Sequence, residues 1–95
     1  MSKDAPNLRT LDRRFTLSKE GFSYAVEFQG WESWGEYTRA SSLLHRMYTY
    51  GCEYKNQGFM RRRTRQYHLS FHRIAFRDEK TREQLLMMLA LTRED

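Results

Sequence analysis

The sequence predicts an α+β domain in which an antiparallel sheet of about four strands carries two helices on one face, in the order ββαββα. Two kinds of periodicity predict it: runs in which apolar and polar residues alternate, and stretches in which apolar residues recur about every 3.6 positions. The chain has 95 residues, one Pro and 15% aromatic residues, enough for one small core. We expect residues 1–10 to form a flexible tail and residues 11–95 the domain.

The first two strands are predicted from alternation. Phe15 and Leu17 alternate with polar residues over residues 13–17, which indicates a short first strand. Gly21 suits the following turn because glycine adopts positive φ without steric cost. Residues 22–29 then form the clearest strand, with Phe22, Tyr24, Val26 and Phe28 on one face.

A helix is predicted over residues 34–50. Ser33 and Glu36 have the spacing of a capping box, in which each side chain satisfies a free amide at the start of a helix. One apolar stripe follows, formed by Tyr37, Ala40, Leu44, Met47 and Tyr48. Gly51 stands where a left-handed residue would end the helix.

Residues 52–76 are predicted to form the second pair of strands, but their apolar pattern is less regular than that of residues 22–29. Residues 52–60 fit either a turn at residues 56–58 or an edge strand that leads into the arginine run. Tyr67, Leu69 and Phe71 alternate and are expected to face the helices, but the apolar phase then shifts to Ile74 and Phe76. Because a one-residue slip reverses the inward face, we expect a β-bulge or a break in the strand near residues 72–73. The order of the strands is left open.

A final helix follows Asp78, which can cap it, and is expected to fray around Thr92. Glu79 and Glu83 lie near its positive end. Its packing side consists of Leu85, Leu86, Met88 and Leu89.

Positive charge is concentrated in the middle of the chain. Residues 39–77 contain nine Lys or Arg and one acid, Glu53, so this segment is about +8 while the rest is about −3. Such a field attracts polyanions or acidic protein surfaces. We predict a basic binding surface built from Lys55, Arg61, Arg62, Arg63, Arg65, Arg73 and Arg77, with Arg39 and Arg46 as its extension.

Four aromatic residues are candidate contacts beside this surface. Phe59 and Tyr67 flank the arginine run and could stack on unpaired bases. Trp31 and Trp34 lie between glycines at the entrance of the first long helix, where we expect them to close the core, with a role as exposed anchors as the alternative.

Three functions fit this pattern. The first is a small, non-catalytic, basic module that binds nucleic acid. The second is an accessory or inhibitor protein of a phage or mobile element, which docks its basic surface on an acidic or nucleic-acid-binding site of a host protein. The third is a structural subunit of a larger assembly.

Catalytic and metal chemistry are not expected. The central segment has few carboxylates, and the chain has no glycine-rich phosphate loop or serine elbow. Cys52 is expected to be buried and inert, and with two histidines it lacks a fourth zinc ligand. No cofactor is predicted. A single cysteine and the lack of a long apolar run favour a soluble, cytoplasmic protein without a membrane segment.

Overall fold

Four antiparallel strands form a single sheet in the computed structural model, which describes residues 6–29 and 33–92. The strands lie in the spatial order β1-β2-β4-β3. The elements along the chain are β1 Asn7–Thr10, α1 Thr16–Lys19, β2 Tyr24–Gln29, α2 Ser33–Met47, β3 Tyr54–Arg63, β4 His68–Phe76 and α3 Glu79–Thr92. The predicted α+β class, with a four-stranded antiparallel sheet, is confirmed.

The main core lies between the sheet and the two long helices, α2 and α3. Val26 and Phe28 of β2 and Ile74 and Phe76 of β4 point into it. The helices supply Ala40, Leu43, Leu44, Leu85 and Leu89. The apolar stripes read from the sequence therefore pack against each other, and their burial is the main force that stabilises the fold.

The start of the chain differs from the prediction. The first strand is Asn7–Thr10, which pairs with β2 inside the segment expected to be a tail. The predicted strand at residues 13–17 is wrong, because Thr16–Lys19 forms the one-turn helix α1. Leu17 packs beneath the sheet against a small cluster of Leu11, Phe22, Ala25 and Ala75, on the face opposite α2 and α3. Alternation over only two apolar residues could not distinguish a strand from a single helical turn.

The ends of the long helices are close to the prediction. Helix α2 ends at Met47, three residues early, and Gly51 has a φ of +89° in the turn that follows rather than at the helix end. The capping box involves the Ser33 side chain, which lies outside the described residues. Asp78 immediately precedes α3, and its carbonyl accepts a hydrogen bond from the Arg82 amide at 3.3 Å.

The shift of apolar phase in β4 has a different cause from the one predicted. Strand β4 is continuous, and residues 71–76 are buried on both faces of the sheet. Ile74 and Phe76 face α2 and α3, whereas Phe71 lies on the opposite face under the guanidinium of Arg62, 4.6 Å from the centre of its ring. The expectation that Tyr67, Leu69 and Phe71 face the helices is therefore wrong. Leu69 shares the face of Phe71, and Tyr67 lies in the turn before β4. The irregularity lies on the neighbouring strand β3, between Asn56 and Gly58.

Candidate nucleic-acid interface

The bulge in β3 decides which side chains share a face. Gln57 is the extra residue: Asn56 pairs with Ile74 and Gly58 with Arg73, so two residues of β3 lie opposite one of β4. Gly58 accommodates the bulge with a φ of +73°. Beyond it, Phe59 pairs with His72, and directly paired residues project from the same face. The bulge thus turns the odd-numbered residues of the arginine run towards the helix side of the sheet.

Strands β3 and β4 extend beyond the rest of the sheet as a two-stranded ribbon. The pairing of β2 with β4 ends at Phe71, but β3 and β4 continue to the pair Arg63–His68. Three further residue pairs correspond to a projection of about 10 Å, at 3.4 Å per residue. We call residues 61–70 the basic ribbon. Among the described residues, its strands pair only with each other.

The turn at the tip of the basic ribbon is closed by Thr64. Its amide and hydroxyl both donate to the Tyr67 carbonyl, at 2.8 and 2.6 Å. The Tyr67 amide donates back to the Thr64 hydroxyl at 3.0 Å. This side-chain-to-backbone closure is typical of threonine in tight turns, and it holds Arg65 and Tyr67 at an exposed tip.

Three arginines of the ribbon are exposed and have no acidic partner in the part of the chain that the structure describes. Arg61 and Arg63 project from the helix side of the sheet, and Arg65 lies in the tip. Within residues 6–29 and 33–92, no carboxylate lies within 4.0 Å of any of these guanidiniums. Their charge is therefore available to a ligand.

Arg62 and Arg73 belong to an internal charge cluster on the opposite face, which corrects their place in the predicted surface. Glu27 is fully buried, and its Oε2 accepts hydrogen bonds from Arg62 at 2.7 Å and from Arg73 at 2.8 Å. The Arg73 side chain is only 2% exposed and also donates to the Gln57 side chain at 3.1 Å. Arg9 approaches Glu27 at 3.6 Å. Alternation along β3 explains why Arg62 points away from its two neighbours.

Three guanidiniums around one carboxylate favour its charged form. Burial disfavours ionisation of Glu27, but the hydrogen bonds and charges of Arg62 and Arg73 outweigh burial, and the pKa of the carboxyl is lowered. The cluster anchors the ribbon, because Arg62 reaches back from β3 to the centre of the sheet.

The remaining predicted cations lie away from the ribbon. Lys55 forms an ion pair with Glu20 at 2.6 Å, and Arg77 donates to the Cys52 carbonyl at 2.7 Å, both at the opposite end of β3 and β4. Arg39 pairs with Glu36 and donates to the Thr92 hydroxyl at 2.8 Å, which ties α2 to α3. Arg46 is exposed, but it lies twelve residues along α2 from Trp34, or about 18 Å. The nine predicted cations therefore do not form one surface.

An exposed aromatic cluster lies at the base of the ribbon, on the same face as Arg61. Trp34 of α2 is 64% exposed and Phe59 of β3 is 59% exposed. Both rings contact the buried imidazole of His72, with centroids 5.6 and 5.4 Å away, and Tyr37 stacks on that imidazole at 4.8 Å. The expectation that Trp34 closes the core is wrong, because its side chain is exposed, whereas Trp31 lies outside the described residues.

The His72 imidazole is held in its neutral form by this packing. Desolvation by burial lowers its pKa, since the protein interior disfavours the imidazolium ion. A neutral, flat ring is a suitable support for the two exposed aromatic rings that pack on it.

Three further features concern metal ligands, the cysteine and membrane insertion. No three His, Cys, Asp or Glu side chains in that part of the chain come together in a way that could hold a metal ion. Cys52 is exposed, so the expectation of a buried thiol is wrong. No described helix is long and apolar enough to cross a membrane.

The sequence did not reveal three contributors to this region: Glu27, Gln57 and His72. Glu27 occupies a polar position in an alternating strand, which normally indicates solvent exposure, and its partners are 35 and 46 residues away. Gln57 and Gly58 carried a usable signal, because glycine within a strand often marks a bulge. His72 gave no signal of its role beneath the aromatic rings.

Comparisons with protein-family models, curated proteins and solved structures found no match to this chain.

Proposed function

We propose that this protein is a non-catalytic module that binds nucleic acid through the basic ribbon. The observation that supports the proposal is the presence of three exposed arginines, Arg61, Arg63 and Arg65, on one projecting hairpin without a carboxylate of the described chain beside them. Guanidinium groups bind phosphate through two parallel hydrogen bonds, and arginine keeps its charge at any physiological pH.

The spacing of the ribbon suits successive phosphates. Arg61 and Arg63 are two residues apart on one face of β3, a separation of about 6.8 Å. Because a nucleic-acid strand carries one phosphate per nucleotide, two guanidiniums on one face of the ribbon can contact successive phosphates of the same strand. Phosphate contacts of this kind give affinity but little sequence preference.

The number of contacts predicts the dependence on salt. Three phosphate contacts correspond to a slope of log affinity against log salt concentration of about −2 for a single strand and about −2.7 for a duplex. Arg62 is excluded from this count because Glu27 already accepts its hydrogen bonds.

A charge-reversal pair tests the proposal. We expect Arg61→Glu/Arg63→Glu to abolish binding to labelled oligonucleotides at low salt, measured by fluorescence anisotropy. Arg46→Glu/Lys80→Glu is the matched control, since it removes the same charge at exposed positions away from the ribbon. It should retain most of the affinity. Circular dichroism should show that both variants are folded.

Two outcomes would overturn the proposal. One is the absence of binding by the wild-type protein to either single strands or duplexes at low salt. The other is an equal loss in the two double variants, since this would mean that net charge alone determines binding. Recovery of a protein partner after nuclease treatment, with no oligonucleotide binding, would assign the ribbon to an acidic protein surface instead.

A further inference from the structure

We infer that the nucleic acid bound by this surface is single-stranded and that its unpaired bases stack on Phe59 and Trp34. The inference rests on the proposed function and names its ligand class. We call these two side chains, with His72 and Tyr37 beneath them, the aromatic platform. The platform lies at the base of the basic ribbon, on the same face of the sheet as Arg61.

The platform leaves two aromatic side chains largely open to solvent. His72 is 7% exposed and stacks on Tyr37 with an interplanar angle of 23°. Phe59 and Trp34 pack against this pair at interplanar angles of 66° and 58°, so each meets the imidazole obliquely. Each exposed ring is therefore fixed by contact with a buried neighbour, and more than half of its own surface is left open.

Leaving two large aromatic side chains in water is unfavourable for a small domain. Burial of such side chains is a main source of stability in a chain of this size. Neighbouring exposed apolar groups of this kind commonly mark a binding surface. Here they lie on the side of the sheet from which Arg61 and Arg63 project, which points to a ligand that is both anionic and aromatic.

A single strand supplies both features within one nucleotide. Phe59 and Arg61 are two residues apart on the same face of β3, about 6.8 Å along the strand. Only a sugar separates the base of a nucleotide from its phosphate, so a base on Phe59 places its phosphate near Arg61. Aromatic platforms beside a positively charged groove bind single strands with little sequence preference, because every base has a π-face.

A duplex uses the same arginines but cannot use the platform. Its base faces are covered by neighbouring base pairs, and a base has to leave the stack before it can contact a protein ring. We therefore expect the contribution of Phe59 and Trp34 to appear for single strands alone.

The test compares Phe59→Leu and Trp34→Leu with wild-type protein. Leucine keeps an apolar contact with His72 but removes the ring face. Affinity for an oligothymidylate and for a duplex of equal length is measured by fluorescence anisotropy at low salt. We expect each variant to lose about 5- to 150-fold for the single strand and less than about twofold for the duplex.

A matched control is Phe15→Leu, which removes an aromatic ring that is 42% exposed and lies beside Arg73, on the face of the sheet opposite the platform. It should bind both ligands like wild type. Thermal unfolding should show that all three variants are folded, and Phe59→Met serves if the leucine variant is not.

The outcomes separate the two proposals. Wild-type protein that binds neither ligand would overturn the proposed function. Wild-type protein that binds through Arg61 and Arg63, with no selective loss in Phe59→Leu and Trp34→Leu, would leave that function standing and overturn the single-strand inference. Equal losses for single strand and duplex in the platform variants would also overturn the inference, since they would indicate a structural role.

Discussion

Replacing Glu27 with Gln should destabilise the domain more than neutralising any single charged side chain of the predicted basic surface. The carboxylate is fully buried, and Arg73, its most buried partner, is 2% exposed. Without the Glu27 carboxylate, Arg73 keeps its 3.1 Å hydrogen bond to Gln57. It also keeps contacts with the rings of Phe15 and Phe71, 5.3 and 5.4 Å from their centres, but neither ring carries a negative charge. The buried guanidinium would then lack a counter-charge, which is expensive in a protein interior.

The expected loss follows from how deeply each partner is buried. Removing one member of a buried ion pair costs about 3–5 kcal/mol. Arg62 and Arg9 are 29% and 46% exposed, so they can recover hydration and add little to this figure. A chain of this length has a total free energy of unfolding of about 5–14 kcal/mol. The substitution therefore removes a large part of the stability.

Urea denaturation followed by tryptophan fluorescence measures this free energy. The matched control is Glu20→Gln, which breaks the exposed pair with Lys55 and should cost about 0–1 kcal/mol. The double variant Glu27→Gln/Arg73→Met should recover part of the loss, since it removes the uncompensated charge as well.

Acidity provides a second measurement on the same cluster. The pKa of Glu27 is lower in the folded state than the value of about 4.3 expected in the unfolded chain. The contribution of Glu27 to the free energy of unfolding is therefore complete above about pH 4.3, and it is lost as the pH falls through the folded-state pKa. In a plot of the free energy of unfolding against pH, Glu27→Gln should therefore reduce the decline on the acid side, here called the acid limb. A loss of less than about 1 kcal/mol, together with an unchanged acid limb, would refute the reasoning.

Two further predictions concern the bulge and the platform. Gly58→Ala should destabilise the domain by about 1–2 kcal/mol, because Gly58 has a φ of +73° that residues with a side chain rarely adopt. Gly35→Ala in α2 should instead stabilise the domain by up to about 1 kcal/mol, since alanine favours the helix and the added methyl group meets no atom within 4 Å. Equal effects of the two substitutions in urea denaturation would contradict this. The His72 imidazole should titrate below about pH 6.5 by NMR because burial lowers its pKa. Since the unfolded chain takes up that proton more readily, the contribution of His72 to stability is complete above about pH 6.5 and declines below it. A titration midpoint at or above 6.5 would rule out a desolvated ring.

The long, periodic segments of this protein could be predicted from the sequence. In β2, the alternating residues Tyr24, Val26 and Phe28 specify a strand whose apolar face packs on the helices, and in α2 the apolar stripe specifies which side of the helix packs on the sheet. The prediction that Phe22 shares that face is wrong, because Phe22 precedes β2 and lies in the small cluster on the opposite side of the sheet. These patterns depend on neighbours within a few residues, so local reading is sufficient. Alternation over only two apolar residues, as at Phe15 and Leu17, was not sufficient to predict a strand, and that segment contains a helical turn instead.

The candidate site was predicted only in part, because its composition is local but its geometry is not. Net charge and the arginine run predicted that residues 61–65 would lie together as a candidate surface for an anionic ligand. The division of that run between two faces depends on one extra residue, Gln57, which reverses every side chain after it. Sequence spacing alone does not reveal which residue of a strand is left unpaired.

Composition and periodicity by themselves determined the α+β class, the main helices and the location of the positive charge along the chain. The tertiary structure alone decided that Arg62 and Arg73 stabilise the interior while Arg61 and Arg63 face solvent. The physical reason is that an arginine is held inside only when a carboxylate is brought to it, and here Glu27 comes from a strand 35 residues before Arg62.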